Sequence, residues 1–272
     1  MNYKNTDKSG PSKLITVTGE ISCDDVDIIS PHEHVLIDIR NQFTGFEEIT
    51  LRKQSEQKVT IEKIDKSTIE ELNSRFLKTL KPGYFKKVLK DKCKIATSLL
   101  NVETLDREHD PKEERSIYCD RNLYSPVYTI SDCIFPNLWS IIDKLEKQSG
   151  VKITSFNCWL EAVEALINKA YKLGAVALKN PLAYQRTLKY ERTSGSRAEE
   201  EFNSIFKVKH FGDWIVRPIS TEKNFQDYMF HFILDIANKK NLIIQVHTGI
   251  QEGNGNILSN SNPELLSNLF LE

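Results

Sequence analysis

No stretch of this chain approaches the roughly 20 consecutive apolar residues that span a bilayer. Its opening, MNYKNTDKSGPSK, also lacks the apolar core of a secretory signal. The cytoplasm is the expected compartment, and no membrane partner is expected. Cysteine is scarce and unpatterned. Cys23, Cys93, Cys119, Cys133 and Cys158 are odd in number and form no C-x-x-C pair, which argues against a disulfide framework or a thiolate zinc knuckle. Most are expected to be buried or idle thiols. An excess of one charge is absent too: 37 Lys and Arg face 38 Asp and Glu, leaving a net charge of -1. That balance gives no electrostatic reason for nucleic acid as a partner. There is no G-x-S-x-G nucleophile elbow, no G-x-x-x-x-G-K-[ST] loop and no G-x-G-x-x-G fingerprint. EGNGN (252–256) carries glycines but lacks the lysine of a phosphate loop.

What is present is a 272-residue chain, long enough for one large domain or two small ones with a sizeable core. Residues 1–13 read as a flexible tail. LITVTGEIS (14–22) alternates as a strand or hairpin arm, and DIIS (27–30) as a short apolar strand. A helix is expected after Ser67 and Thr68, with Glu70 and Glu71 at capping spacing and a stop at Pro82-Gly83. CKIATSLLN (93–101) and SPVYTISDCIF (125–135) read as strands, followed by a helix ending at Gly150. Trp159, Val163, Leu166, Ile167 and Ala170 recur at helical spacing up to Gly174, before the strand AVALKN (175–180). Ser196 with Glu199 is expected to open another helix. Phe225, Met229, Phe232, Ile233 and Ile236 line the next, and NLIIQVHTG (241–249) is a further strand. Strands alternating with helices predict an α/β fold with a parallel sheet.

The chemistry concentrates at strand ends. On an extended chain His32 and His34 point one way and Glu33 the other. Two convergent imidazoles suit a divalent transition metal. His247 has a similar setting, an apolar strand followed by a glycine-containing loop. As a bland alternative it is a strand-end residue bonded to backbone. Lys179 follows the apolar AVAL, where a lysine is rarely placed for packing; pairing with an anion, carboxylation to a bridging ligand and simple solvent exposure all remain open. Tyr184 and Arg186 follow closely as candidate substrate-binding residues, since an arginine fork binds a carboxylate bidentately. A bland surface role for Arg186 stays open as well. His109, His210 and His231 are read as non-ligands, His231 on a solvated helix face between Asp227 and Asp235. Asp38 and Glu252 are auxiliary carboxylate candidates.

TVTGEI followed by PHEHVLID resembles the opening of the amidohydrolase superfamily. AVALKNPLAYQRTL and LIIQVHTGIQEGNGN resemble its amidohydrolase-related branch more closely than the phosphotriesterase-like one. The resemblance implies a (β/α)8 TIM-type barrel with a divalent metal, zinc by expectation, at the C-terminal strand ends. His32 and His34 match the strand-1 ligands, Lys179 the strand-4 position and His247 the strand-5 histidine, a third ligand or a substrate-polarising group. The implied activity is hydrolysis of a small-molecule amide, ester or lactone by metal-activated water. Decarboxylases and isomerases of the same superfamily are the alternative, as is a catalytically incomplete fragment that binds metal or a partner. Self-association is left open.

Strand counting adds one expectation. From His32 to His247 the chain uses about 215 residues, and about 25 follow. A barrel domain over 14–272 is therefore expected to be incomplete, with about strands 1–5 present and strands 6–8 missing.

Overall fold

The computed structural model describes residues 13–16, 19–22, 28–30, 67–79, 82–106, 117–205, 210–211, 214–215, 223–249 and 257–271. The chain divides into two compact units, Met1–Leu99 with Asp120–Tyr124, and Leu100–Cys119 with Ser125–Glu272. Residues 1–12 of the expected tail, His32, His34, Asp38, His109 and Glu252 lie outside the described residues, and Lys13 opens a strand instead.

In the first unit, strands β1 (Lys13–Thr16) and β2 (Gly19–Ser22) pair antiparallel, as the alternation of LITVTGEIS predicts. Strand β3 (Ile28–Ser30) pairs parallel with β4, which runs from Ile95 to Val102. Helix α1 (Ile69–Thr79) carries Glu70 and Glu71 in its first turn, where negative charge suits the helix dipole. A short helix α2 (Tyr84–Lys86) leads into a π-helical turn, Lys87–Lys92.

The second unit holds β5, whose span is Tyr124–Thr129, with β6 (Ala177–Asn180) and β9 (Ile243–Val246) paired parallel to it in turn. Hydrogen bonding orders the strands β3-β4-β5-β6-β9. Between them lie α3 (Ser131–Ile134), α4 (Trp139–Ser149), α5 (Phe156–Lys172), α6 (Gly195–Ile205) and α7 (Lys223–Lys239). A two-residue pair, β7 (His210–Phe211) and β8 (Trp214–Ile215), precedes α7. Two 3-10 turns and α8 (Asn268–Leu271) follow β9.

The core follows from helical spacing. On α5, Phe156, Trp159, Ala162, Val163, Leu166, Ile167 and Ala170 are all buried, one stripe at intervals of three and four. Burying each large side chain contributes roughly 1.5–3 kcal/mol. Trp159 packs within 6 Å of both Phe202 on α6 and Phe225 on α7, and its indole N–H donates to the Cys133 carbonyl at 3.3 Å. Ser155 caps α5 by accepting from the Cys158 N–H. Gly150 ends α4 at φ 76°, a left-handed conformation that disfavours a side chain.

The structure departs from the sequence reading in three places. The expected strand 125–135 stops at Thr129, and Ser131–Ile134 turns into α3. Ile130, Cys133 and Ile134 are buried at positions i, i+3 and i+4, a helical rather than alternating pattern. The cap of α6 is Ser194, two residues before the expected Ser196; its carbonyl accepts from Ala198 and its hydroxyl from Arg197. His231 is not on a solvated face, for its Nε2 lies 3.3 Å from the Tyr190 carbonyl and its neighbour Asp227 is buried.

Candidate active site

Register decides which side chains share a face. Val127, Ala177 and Ile243 lie level across β5, β6 and β9, and so do Lys179 and Gln245, with Thr129 level with Lys179. Leu178 and Tyr128 belong to the helical core, and Ile244 and Val246 pack against it. Alternation therefore sends Val127, Ala177, Ile243, Thr129, Lys179 and Gln245 to the opposite face, the one a barrel turns inward. An apolar layer is followed by a polar one toward the C-terminal strand ends.

His247 belongs to the same face. Its N–H donates to the Asn180 carbonyl at 2.9 Å, so the ladder of β6 and β9 continues one step past Val246. Two residues beyond Gln245, its side chain takes the direction of Lys179. The phenol ring of Tyr184 lies beside it, ring centroids 4.9 Å apart and tilted by 45°. Tyr184 sits on the 3-10 turn Leu182–Tyr184 that follows β6 directly. The structure thus brings Lys179, Tyr184 and His247 to neighbouring strand ends of one unit.

Lys179 is only 4% exposed. Burial disfavours its ammonium form and pulls its pKa below the ordinary lysine value. Among the described residues its amine has no hydrogen-bond or ion-pair partner. A buried amine of this kind can take up or release protons and can bind an anionic oxygen.

Arg186 corrects one expectation. It binds a carboxylate, but that carboxylate belongs to the protein. Its Nη2 lies 2.5 Å from Asp227 Oδ1 on α7, both side chains being about 4% exposed or less. The guanidinium also donates to the carbonyls of Thr187 and Lys189 and to Gln226 Oε1. It lies 4.2 Å above the Tyr190 ring. Four of its N–H groups are thus engaged inside the protein, and the bidentate fork is not presented to a substrate.

Sequence reasoning missed Asn180, Tyr190 and Asp227. Asn180, fully buried, donates to the Tyr190 hydroxyl at 2.9 Å and accepts from the Leu182 N–H at 3.0 Å. Asp227 was not singled out, although the apolar residues Phe230 and Leu234, three and seven positions on, share its helix face.

The fold has counterparts among known structures. A protein named as a metal-dependent hydrolase from Lactobacillus casei matches 91% of this chain with a TM-score of 0.57 and 16% identity. Glucuronate isomerase from Caulobacter crescentus matches 78% with a TM-score of 0.54 and 17% identity. Uronate isomerase from Thermotoga maritima matches 78% with a TM-score of 0.50 and 14% identity. The fold is of the (β/α)8-barrel type, present in part. In sequence, uronate isomerase from Caldanaerobacter subterraneus subsp. tengcongensis is 28% identical over 117 residues, 42% of this chain. That match covers 23% of the relative, and the structural matches cover 46%, 46% and 64% of theirs. The chain thus spans about half the length of the isomerase structures it resembles. No family model matches it.

A divalent metal is implied by the resemblance of the sequence motifs. Among the described residues no group of three or more His, Cys, Asp or Glu gathers to hold one. Within the second unit the donor chemistry is of the kind such a site uses, an imidazole following β9 and a desolvated amine on β6.

Proposed function

We propose that this chain is a metal-dependent enzyme of the amidohydrolase superfamily, acting as an isomerase on a small sugar acid. The similarity in sequence to a uronate isomerase carries the reading, and two isomerase structures with the same fold support it. His32, His34 and His247 are the residues that would hold the metal, with zinc the first candidate. Bound there, a divalent cation supplies Lewis-acid polarisation of a carbonyl or hydroxyl oxygen.

The chain's own residues do the rest. Lys179, buried and biased toward the neutral amine, moves a proton to or from substrate or holds an anionic oxygen. Tyr184, 38% exposed beside His247, offers a ring face and a hydroxyl to orient the sugar. Below them on the same face lie Val127 and Ala177, both buried, with Ile243 level with Ala177. Interconversion of an aldose and a ketose needs a proton moved between adjacent carbons, which a positioned acid–base group supplies.

A second reading, hydrolysis of an amide, ester or lactone, is supported by the Lactobacillus casei structure, which covers more of this chain than either isomerase does. One experiment separates the two. Purified protein is loaded with zinc and offered glucuronate in one arm and a panel of amides, esters and lactones in the other. Ketose formation lost in His32→Ala, His34→Ala and Lys179→Met supports the isomerase. Hydrolysis with the same losses favours the second reading, and stoichiometric zinc unaffected by the histidine changes refutes the metal assignment.

A further inference from the structure

Behind the strand ends lies a chain of buried groups that the proposed reaction does not itself use. Asn180 directly follows Lys179 on β6, and alternation sends its side chain to the helical face. Its backbone carbonyl and both ends of its side-chain amide are engaged. The carbonyl accepts from the His247 N–H, the amide oxygen from the Leu182 N–H, and the amide nitrogen donates to the Tyr190 hydroxyl. It therefore joins the end of β6, the end of β9 and the turn that carries Tyr184.

Tyr190 is held as firmly. Its ring is fully buried, 4.0 Å from the Phe230 ring and 4.2 Å from the Arg186 guanidinium. Its carbonyl accepts from the Asn268 side chain and lies 3.3 Å from His231 Nε2. Arg186 is anchored on Gln226 and Asp227 of α7. Asp227 also accepts from the Glu191 N–H at 3.1 Å and from the Lys223 ammonium. An unbroken set of contacts runs from α7 through Arg186, Tyr190 and Asn180 to the backbone of His247.

We propose that Asn180 and Tyr190 are positioning residues, which couple the rigid helix α7 to the strand ends presenting Lys179 and His247. Their effect on turnover rests on the proposed function; their effect on the strand ends does not. A buried polar join of this kind is directional, so a change of one hydroxyl shifts the group it holds. An error of about 1 Å in a reacting group can lower turnover by about 100-fold.

Tyr190→Phe removes one oxygen and keeps the ring packing. Amide hydrogen exchange followed by NMR, with steady-state kinetics on the reaction found for the wild type, tests the proposal. Tyr190→Phe is expected to lower protection at the Leu182 and His247 amides by about 10-fold or more, while the amides of α4 keep theirs. It is expected to lower kcat about 10- to 100-fold with KM nearly unchanged. Asn180→Ala should reproduce both effects. Asn180→Asp, which can accept from both Leu182 and Tyr190, should restore much of the protection. Unchanged protection at Leu182 and His247, a uniform loss across α4 as well, or lost protection with unaltered kcat would overturn the proposal. A selective loss of protection in a protein that turns over neither substrate class supports the positioning role and rejects the enzymatic reading instead.

Discussion

The Arg186–Asp227 pair permits a quantitative stability test. Both side chains are almost wholly withdrawn from water, 4% and 3% exposed. Breaking such a pair by removing one partner costs about 3–5 kcal/mol, because the other charge is left in a poorly polarisable interior. The two deletions should differ. In Arg186→Met, Asp227 keeps the Lys223 ammonium and the Glu191 N–H, so a loss near the lower bound, about 3 kcal/mol, is expected. In Asp227→Ala, Arg186 keeps neutral acceptors and the Tyr190 ring, and the loss should approach about 5 kcal/mol. Against a typical total of about 5–15 kcal/mol, that is a third of the stability or more. At roughly 2–4 °C per kcal/mol, the Asp227→Ala melting temperature should fall by about 10–20 °C. The double variant Arg186→Met/Asp227→Ala should lose less than the sum, since neither charge of the pair is stranded. Urea denaturation of the four proteins gives the full cycle. Single losses below about 1 kcal/mol, or costs additive within about 0.5 kcal/mol, would refute the assignment of a coupled buried pair.

Four further outcomes are expected. Lys179→Met should stabilise the protein at neutral pH while abolishing turnover. The folded lysine pKa is depressed, so wild-type stability rises with pH up to the unfolded value near 10.4; thermal melts should show the variant's advantage shrinking toward that pH, and a constant advantage would count against it. Cys133 is fully buried with its thiol pKa pushed up, whereas hydroxyl contacts from Ser155 and then Thr154 lower that of Cys158; timed alkylation read by mass spectrometry should modify Cys158 well before Cys133. Lys223 and Lys189 hold the exposed Glu191 carboxyl down to about 2. The resulting stabilisation is present above the unfolded value near 4.3 and fades as pH falls toward about 2, so the melting-temperature gap to Glu191→Gln should close across that window. Trp159→Ala should cost about 3–5 kcal/mol in urea melts, because it opens a cavity among Phe156, Phe202 and Phe225.

Much of the fold is legible because its signals are periodic. The stripe on α5, the glycine after α4 and the apolar runs of β6 and β9 each follow from local pattern. Where the reading failed, a helical spacing was hidden in a short run, as at Ile130, Cys133 and Ile134. The strand-end placement of Lys179 and His247 was legible because an apolar strand ending in a titratable group is an unusual local pattern. Asn180, Tyr190 and Asp227 were not, because their contacts join residues 10 to 41 positions apart in sequence. Arg186 shows the same limit: its chemistry was read correctly, as carboxylate recognition, while the carboxylate it recognises is 41 residues away.

The alternation within β6 has an evolutionary consequence. Leu178 seals the helical core and Lys179 faces away from it, so the two roles occupy consecutive letters of the gene. Loss or gain of one codon in this segment would exchange their directions, driving an amine into the aromatic packing and a leucine onto the opposite face. Selection against misfolded chains thereby also guards the orientation of the lysine. A lineage that had abandoned the chemistry would still be held to this strand register by its core, long after the substrate had gone.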